Sequence, residues 1–268
     1  MNKFLIYTNP NKDKDLSVSN KVREYLSKKG ASVYDELSQC EDASNVMMLV
    51  LGGDGTMLRA IRDNNFFDGP VIGINMGTLG FLTEIEMNSL YESLDRLLAD
   101  DFKIEDRMLL EGFATGDKTW ALNDVVLARC GGLQIINFEI SVNNQPLLNY
   151  EADGIIISTP TGSTGYNLSA GGPIASPAAQ LIMLTPICPH SLNHRSIILS
   201  GQDEVSIKVT ASREGREQVL ELNFDGNVKE TVKTGDEIII KKGDKTVKFA
   251  KLGKDSFLQV LNRKMSDQ

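Results

Sequence analysis

Two glycine-rich segments hold the residues of this chain best suited to chemistry. The first is Val50-Leu51-Gly52-Gly53-Asp54-Gly55-Thr56. Glycines permit positive φ and let phosphate oxygens approach the backbone closely. A helix starting after the turn would add unpaired amides and a partial positive charge. Gly52, Gly53 and Thr56 therefore read as a phosphate-donor turn. Asp54 does not belong in a purely anion-binding loop, because it would repel the phosphate. A carboxylate there makes sense facing a hydroxyl nucleophile or a metal ion, or as a plain helix N-cap. Both readings stay open at this level. The usual P-loop and dinucleotide fingerprints do not fit, since no Lys-Ser/Thr follows and the GxGxxG spacing is absent.

The second segment runs from Asp153-Gly154 through Ser158-Thr159-Pro160-Thr161-Gly162-Ser163-Thr164-Gly165-Tyr166. It holds five hydroxyl side chains besides the tyrosine, behind an apolar run and ahead of Gly171-Gly172-Pro173. Hydroxyls and glycine amides suit ribose and phosphate oxygens, and Tyr166 could stack on a ring. A solvated loop could share this composition. Between the two lies Gly73-Ile74-Asn75-Met76-Gly77-Thr78-Leu79-Gly80-Phe81, a further turn after an apolar run. It reads as a tight strand exit, or as a partner of the first turn at the carboxyl edge of a parallel sheet, where open α/β folds bind ligands.

The elements that must position these turns change character along the chain. Residues 3–8 read as a strand. Leu16, Val22, Tyr25 and Leu26 then give helical spacing over 15–29, with Gly30 as its stop. Residues 46–51 and 71–74 are continuous apolar runs of the kind buried on both faces of a sheet. A helix is expected over 56–63, and Ser89 with Glu92 predicts a capping box for another. Strands alternating with helices imply an α/β domain with a Rossmann-like open parallel sheet over 1–101. From 102 to 251 short strands dominate: 108–115, 119–128, 135–142, 154–158, 196–199, 204–210, 217–224, 236–241 and 245–250. Asn143-Asn144, Asp225-Gly226 and Lys242-Gly243-Asp244 read as turns between them. This half is expected to be mostly β, with residues 252–268 returning to the first domain.

Composition bounds the rest. The 268 residues are 41% hydrophobic, enough for a sizeable core, and no apolar run reaches membrane-spanning length. The start reads as a first strand rather than a signal peptide. Cys40, Cys130 and Cys188 are scattered without a CxxC pair, which fits buried thiols in a reducing cytoplasm. A net charge of −8 argues against nucleic-acid binding, which needs a basic footprint. His190 and His194, near Cys188, have i, i+4 spacing, but zinc needs more ligands than they supply.

Taken in order, these motifs resemble the bacterial NAD kinases. The resemblance is carried by Gly-Gly-Asp-Gly-Thr at 52–56, Gly-Ile-Asn-Met-Gly-Thr-Leu-Gly-Phe-Leu at 73–82 and Leu-Asn-Asp at 122–124. Asp153-Gly154, the block 158–173, and the stretch from Thr185 to Arg195 complete it. Lipid kinases and phosphofructokinases carry similar first turns, whereas 153–173 is more specific. The resemblance covers essentially the whole chain. It implies phosphorylation of the adenosine-ribose 2′-hydroxyl of NAD to give NADP, with ATP or inorganic polyphosphate as donor and Mg²⁺ carried with the ATP. It also implies a cytoplasmic homo-oligomer, usually a tetramer, whose NAD site is partly shared between subunits.

By the same resemblance Asp54 is the proton acceptor. Gly55, Arg59, Asn123, Asp124, Asp153, Thr164, Gly165, Tyr166, Ser169 and Asn227 are the NAD-binding set. Taken alone, Arg59 is equally a solvated helix residue, Asn123 and Asp124 a strand-edge turn, Tyr166 a core tyrosine and Asn227 part of a hairpin. Two positions depart from the family pattern, which more often has Glu at Asp124 and Ala at Gly165. A kinase for another acceptor, or a dinucleotide-binding regulator without catalysis, would share part of these motifs. Loss of turnover on replacing Asp54 separates an enzyme from a regulator.

Overall fold

The computed structural model describes residues 1–40, 42, 45–77, 80–131, 135–191, 195–253 and 255–266, without the side chains of 228 and 229. Two compact units emerge: Met1–Asp106 together with Thr246–Gln268, and Arg107–Lys245.

The first unit is the expected α/β domain. Its elements are β1 (Lys3–Thr8), α1 (Ser17–Lys28), β2 (Ser32–Tyr34), β3 (Met47–Gly52), α2 (Asp54–Asp63), β4 (Val71–Asn75), β5 (Ile85–Glu86) and α3 (Leu90–Leu98). Strands β2-β1-β3-β4 lie parallel in that order, and β5 continues the sheet beside β4. Every residue of β3 and β4 is buried, as their unbroken apolar runs predict for strands covered on both faces. Val22 and Leu26 of α1 and Leu90, Leu94 and Leu97 of α3 cover the sheet. Gly30, at φ +85°, ends α1 in the conformation that favours glycine. The expected capping box at Ser89 does not form. A 3₁₀ turn over Met87–Ser89 leads into α3, and the Ser89 hydroxyl donates to the Glu86 carbonyl instead.

The second unit is mostly β. It holds β6 (Lys103–Phe113, from Arg107 on), β7 (Thr119–Ala121), β8 (Asp124–Arg129), β9 (Ile136–Val142), β10 (Gln145–Ala152) and β11 (Gly154–Ser158). After the short helix α4 (Tyr166–Ser169) come β12 (Leu181–Ile187), β13 (Ile197–Ser200), β14 (Val205–Val209), β15 (Val219–Phe224), β16 (Asn227–Lys233) and the first part of β17 (Glu237–Lys251). Strands β13-β12-β11-β8-β15-β16 form one antiparallel sheet, and β10-β9-β14-β17 run antiparallel in another. Leu127, Ile155, Ile157 and Leu184 of one sheet meet Phe138, Ile140, Ile207 and Ile240 of the other in one core. The last residues of β17 enter the first unit, where Phe249 pairs with Val71, and α5 (Phe257–Ser266) follows.

Several expectations need correction. Lys242-Gly243-Asp244 is not a turn, because β17 runs unbroken from Glu237 to Lys251. Gly243 has no positive φ, and a β-carbon on it would lie 3.1 Å from Trp120 Cδ1. Its role is to let the indole approach the strand. The expected strand 119–128 breaks at 122–123, where a side chain from another hairpin takes the backbone amides, as described below. Strands β10 and β16 escape the apolar pattern because they are sheet edges: β10 carries Pro146 at an irregular register, and β16 is charged. Cys130 and Cys188 are exposed rather than buried, since they follow the ends of β8 and β12; all three thiols are free. The turns Asn143-Asn144 and Asp225-Gly226 are present, each with positive φ at both residues.

Gly243→Ala should lower stability by about 1–2 kcal/mol through crowding against Trp120, read as a lower urea midpoint. An unchanged midpoint would mean that strand and indole separate at no cost.

Candidate active site

In the first unit β3 delivers the chain into the first glycine turn. Gly53 is the N-cap of α2 and Asp54 the first helical residue. The carboxylate does not cap its own helix. Its Oδ2 accepts the Phe81 amide at 2.8 Å and its Oδ1 the Leu82 amide at 3.0 Å, so the second glycine turn aims it. A β-carbon on Gly80 would overlap Oδ1, which is why glycine precedes Phe81. Gly52 has a similar cause: a β-carbon there would overlap the Thr56 side chain. Thr56 is buried, and its hydroxyl accepts from Asn9 Nδ2 at 3.2 Å. Asn75 ties its turn together by bonding Gly77 through both amide atoms.

A cavity of about 410 Å³ opens over these turns, its lining including Lys12, Asp54, Thr56, Arg59, Gly80 and Lys264. At the start of α2 the Thr56 and Met57 amides donate to the Gly53 carbonyl, whereas those of Asp54 and Gly55 have no backbone acceptor among the described residues and no side-chain cap. They give this wall the polarity that binds phosphate. Lys12, Gly80 and Lys264 are absent from the sequence-derived set. Gly80 was legible as a turn glycine, but nothing local marks Lys12 or Lys264.

In the second unit the predicted residues fall into two groups. Asp225, at the tip of the β15–β16 hairpin, accepts the amides of Leu122 (2.8 Å), Asn123 (2.7 Å) and Asp124 (3.2 Å). This fixes the turn carrying Asn123 and Asp124 and places it beside Asn227, the first residue of β16. The hydroxyl-rich loop packs on the same turn. Thr159 Oγ1 donates to the Leu122 carbonyl at 2.6 Å, and the Thr159 amide donates to the Asn123 carbonyl at 2.9 Å. A β-carbon on Gly162 would overlap that carbonyl. Ser158, Thr159, Thr161 and Ser163 are all buried, and the Ser158, Thr159 and Ser163 hydroxyls donate to backbone carbonyls. Thr161 Oγ1 accepts from Arg107 Nη1 at 3.3 Å. Four of the five hydroxyls expected to face a nucleotide thus build the loop instead. Thr164 and Gly165 are half-buried, while Tyr166 and Ser169 are exposed. Asn167, fully buried, bonds the Ser163 and Pro173 carbonyls and accepts from the Thr185 hydroxyl at 2.7 Å.

Asp153 stands apart. It precedes β11 and pairs with Arg129 at 3.4 Å, whereas the Asn123 turn meets the other end of that strand at Ser158. Five residues of strand separate the two ends, roughly 16 Å. Of the two histidines, His194 lies outside the described residues, as do Thr78 and Leu79 of the second turn. Among the described residues no group of three or more His, Cys, Asp or Glu could hold a metal ion, and no helix is long and apolar enough to cross a membrane.

Two features of the Asn123 turn suit a polar ligand. Asn123 Oδ1 is buried and lacks a donor among the described residues. Asp124 is 5% exposed, and burial, with the Asp225 carboxylate nearby, pushes its pKa up to about 7.

A carboxylate aimed by backbone amides over a cation-lined glycine turn, in an α/β unit joined to a β unit, marks a phosphotransferase with an alcohol acceptor. Comparison with known proteins gives the family. Residues 36–102 match a family model described as ATP-NAD kinase N-terminal domain, and residues 122–252 one described as ATP-NAD kinase C-terminal domain. The NAD kinase of Lachnoclostridium phytofermentans is 41% identical over the whole of both chains. That of Agathobacter rectalis is 39% identical over 100% of this chain and 99% of its own. A yeast NADH kinase complexed with NADH superposes with a TM-score of 0.81 at 25% identity, covering 99% of this chain and 88% of its own. The chain belongs to the NAD kinase family.

The raised pKa of Asp124 has a consequence for stability. Its folded form holds the proton more tightly than the unfolded chain. The associated stability is therefore full below about pH 4 and is lost as pH rises through about 7. Asp124→Asn should remove that dependence and raise stability at pH 8 by on the order of 2–4 kcal/mol. Thermal melts of both proteins from pH 5 to 8 check this, and parallel curves would refute it.

Proposed function

We propose that this enzyme transfers the terminal phosphoryl group of ATP, or of inorganic polyphosphate, to the adenosine-ribose 2′-hydroxyl of NAD, giving NADP. The observation that carries the proposal is the Asp54 carboxylate, held by the Phe81 and Leu82 amides in the lining of the glycine-turn cavity. A ribose hydroxyl is a weak nucleophile, and a positioned general base contributes roughly 10²–10⁴-fold. The 2′-oxygen forms a bond to the γ-phosphorus, its proton passes to Asp54, and the bridging P–O bond breaks to release ADP. The glycine-turn amides and Thr56 face the donor phosphates. Asn123 Oδ1, a buried acceptor with no donor among the described residues, takes a hydroxyl or amino hydrogen of NAD. Asp124, Asn227, Thr164, Gly165 and Ser169 complete the pocket, and the exposed Tyr166 ring stacks on the dinucleotide.

Among the described residues the lining forms no metal cage: it holds one carboxylate, with both oxygens engaged by amides, among three cations. A divalent ion such as Mg²⁺ therefore comes with the ATP, where it neutralises donor charge, as Mg²⁺ commonly does with phosphates and water as ligands.

Asp153 enters through assembly. We place it at the nicotinamide end of an NAD bound mainly by a neighbouring subunit, in a cytoplasmic homotetramer. Its position at the far end of β11 from Asn123 supports a shared site.

Purified protein should make NADP from NAD, ATP and Mg²⁺. Asp54→Asn should lower kcat by about 10²–10⁴-fold while NAD affinity stays nearly intact; full activity in that variant would remove the base assignment. Gly80→Ala should mimic it, because the new methyl takes the place of Oδ1. Shared sites also predict complementation: mixed oligomers of Asp54→Asn and Asp153→Ala subunits should regain part of the activity that each lacks alone. Absence of any recovery in verified hybrids would place each site within one subunit.

A further inference from the structure

The glycine-turn cavity is lined by three cationic side chains that come from widely separated parts of the sequence. Lys12 follows β1, Arg59 lies on α2 and Lys264 on the C-terminal helix α5. A β-carbon on Gly53 or Gly77 would lie 3.5 or 3.4 Å from Lys12 Nζ, so the lysine tip reaches both glycine turns. Lys264 Nζ stands 5.0 Å from the centre of the Phe81 ring. Phe81 is the residue whose amide donates to Asp54. Among the described residues none of the three cations forms an ion pair with a carboxylate. In a chain of net charge −8, leaving three cations unpaired around one cavity needs a cause. An anionic ligand supplies it.

The docking of α5 points the same way. Phe257 and Lys264 are seven residues apart, so they share one helix face. Both address Phe81, Phe257 at 6.2 Å between ring centres. Yet no residue of α5 is buried, and Leu258 and Met265 are 70% and 64% exposed. Apolar burial does little to hold this helix down. An anion bridging Lys264 to Lys12 and the α2 amides would fasten it.

Resting on the kinase reading above, we infer that α5 completes the donor site, and that Lys264 with Lys12 grips the condensed phosphate chain of the donor. The contact is to phosphoryl oxygens rather than to a nucleoside, so ATP and an inorganic phosphate chain share it. NAD does not depend on it.

The test compares wild type, Lys264→Gln, Lys264→Arg and Lys12→Gln, with thermal melts to confirm folding. ATP and inorganic tripolyphosphate are each titrated by calorimetry, and KM for NAD is measured in turnover. Each Gln variant should bind both donors about tenfold more weakly, the loss of one charge-assisted contact. KM for NAD should change less than about twofold, and Lys264→Arg should retain most of the affinity because it keeps the charge. Unchanged binding of both probes by folded Lys264→Gln would overturn the inference. So would weakening for ATP alone, which places the lysine on the nucleoside, or an equal rise in KM for NAD, which places it on the acceptor. Failure of wild type to form NADP would count against the kinase reading, while the two titrations still judge the phosphate grip.

Discussion

The Asp54 carboxylate takes its hydrogen bonds from the amides of Phe81 and Leu82, and much of the first unit serves that contact. Two parallel, fully buried strands set the two glycine turns side by side, because each turn follows one strand at the same edge of the sheet. Gly80 lacks a side chain where the carboxylate must pass, and Gly52 lacks one where Thr56 must fold back. With both oxygens engaged by rigid backbone, the carboxylate has little rotamer freedom. Preorganisation of this kind removes an ordering step from the reaction.

The second unit uses the same device for another end. Asp225 accepts three successive amides and so interrupts what would otherwise be one strand from 119 to 128. The interruption creates the turn that presents Asn123 and Asp124. Charge is unevenly served there: Asp225 is bonded to amides, and Asp124 beside it is buried and protonates near neutrality. Burial, with the Asp225 charge nearby, explains the raised pKa of Asp124.

Much of the fold was legible because it rests on local pattern. Unbroken apolar runs marked the buried parallel strands, Gly30 marked the end of α1, and Asn143-Asn144 and Asp225-Gly226 marked hairpins. What misled was chemistry with two uses. Lys242-Gly243-Asp244 has turn composition, yet Gly243 serves the approach of Trp120. The hydroxyls of 158–163 have the composition of a ribose cradle, yet those of Ser158, Thr159 and Ser163 donate to carbonyls 12 to 37 residues away or in the loop itself, and that of Thr161 accepts from Arg107.

By itself the sequence determined the succession of an α/β and a mostly β unit, the two glycine turns, Asp54 as the odd carboxylate, and through its motifs the NAD kinase family. Periodicity, glycine placement and motif order are properties of neighbouring residues, so they survive in one dimension. Tertiary structure decided that Asp54 is aimed by a distant turn rather than capping its own helix. It also brought Lys12 and Lys264 to one cavity and parted Asp153 from Asn123 by the length of a strand. These facts depend on which backbone amides and charges meet after the chain has closed on itself, and no local pattern encodes such meetings.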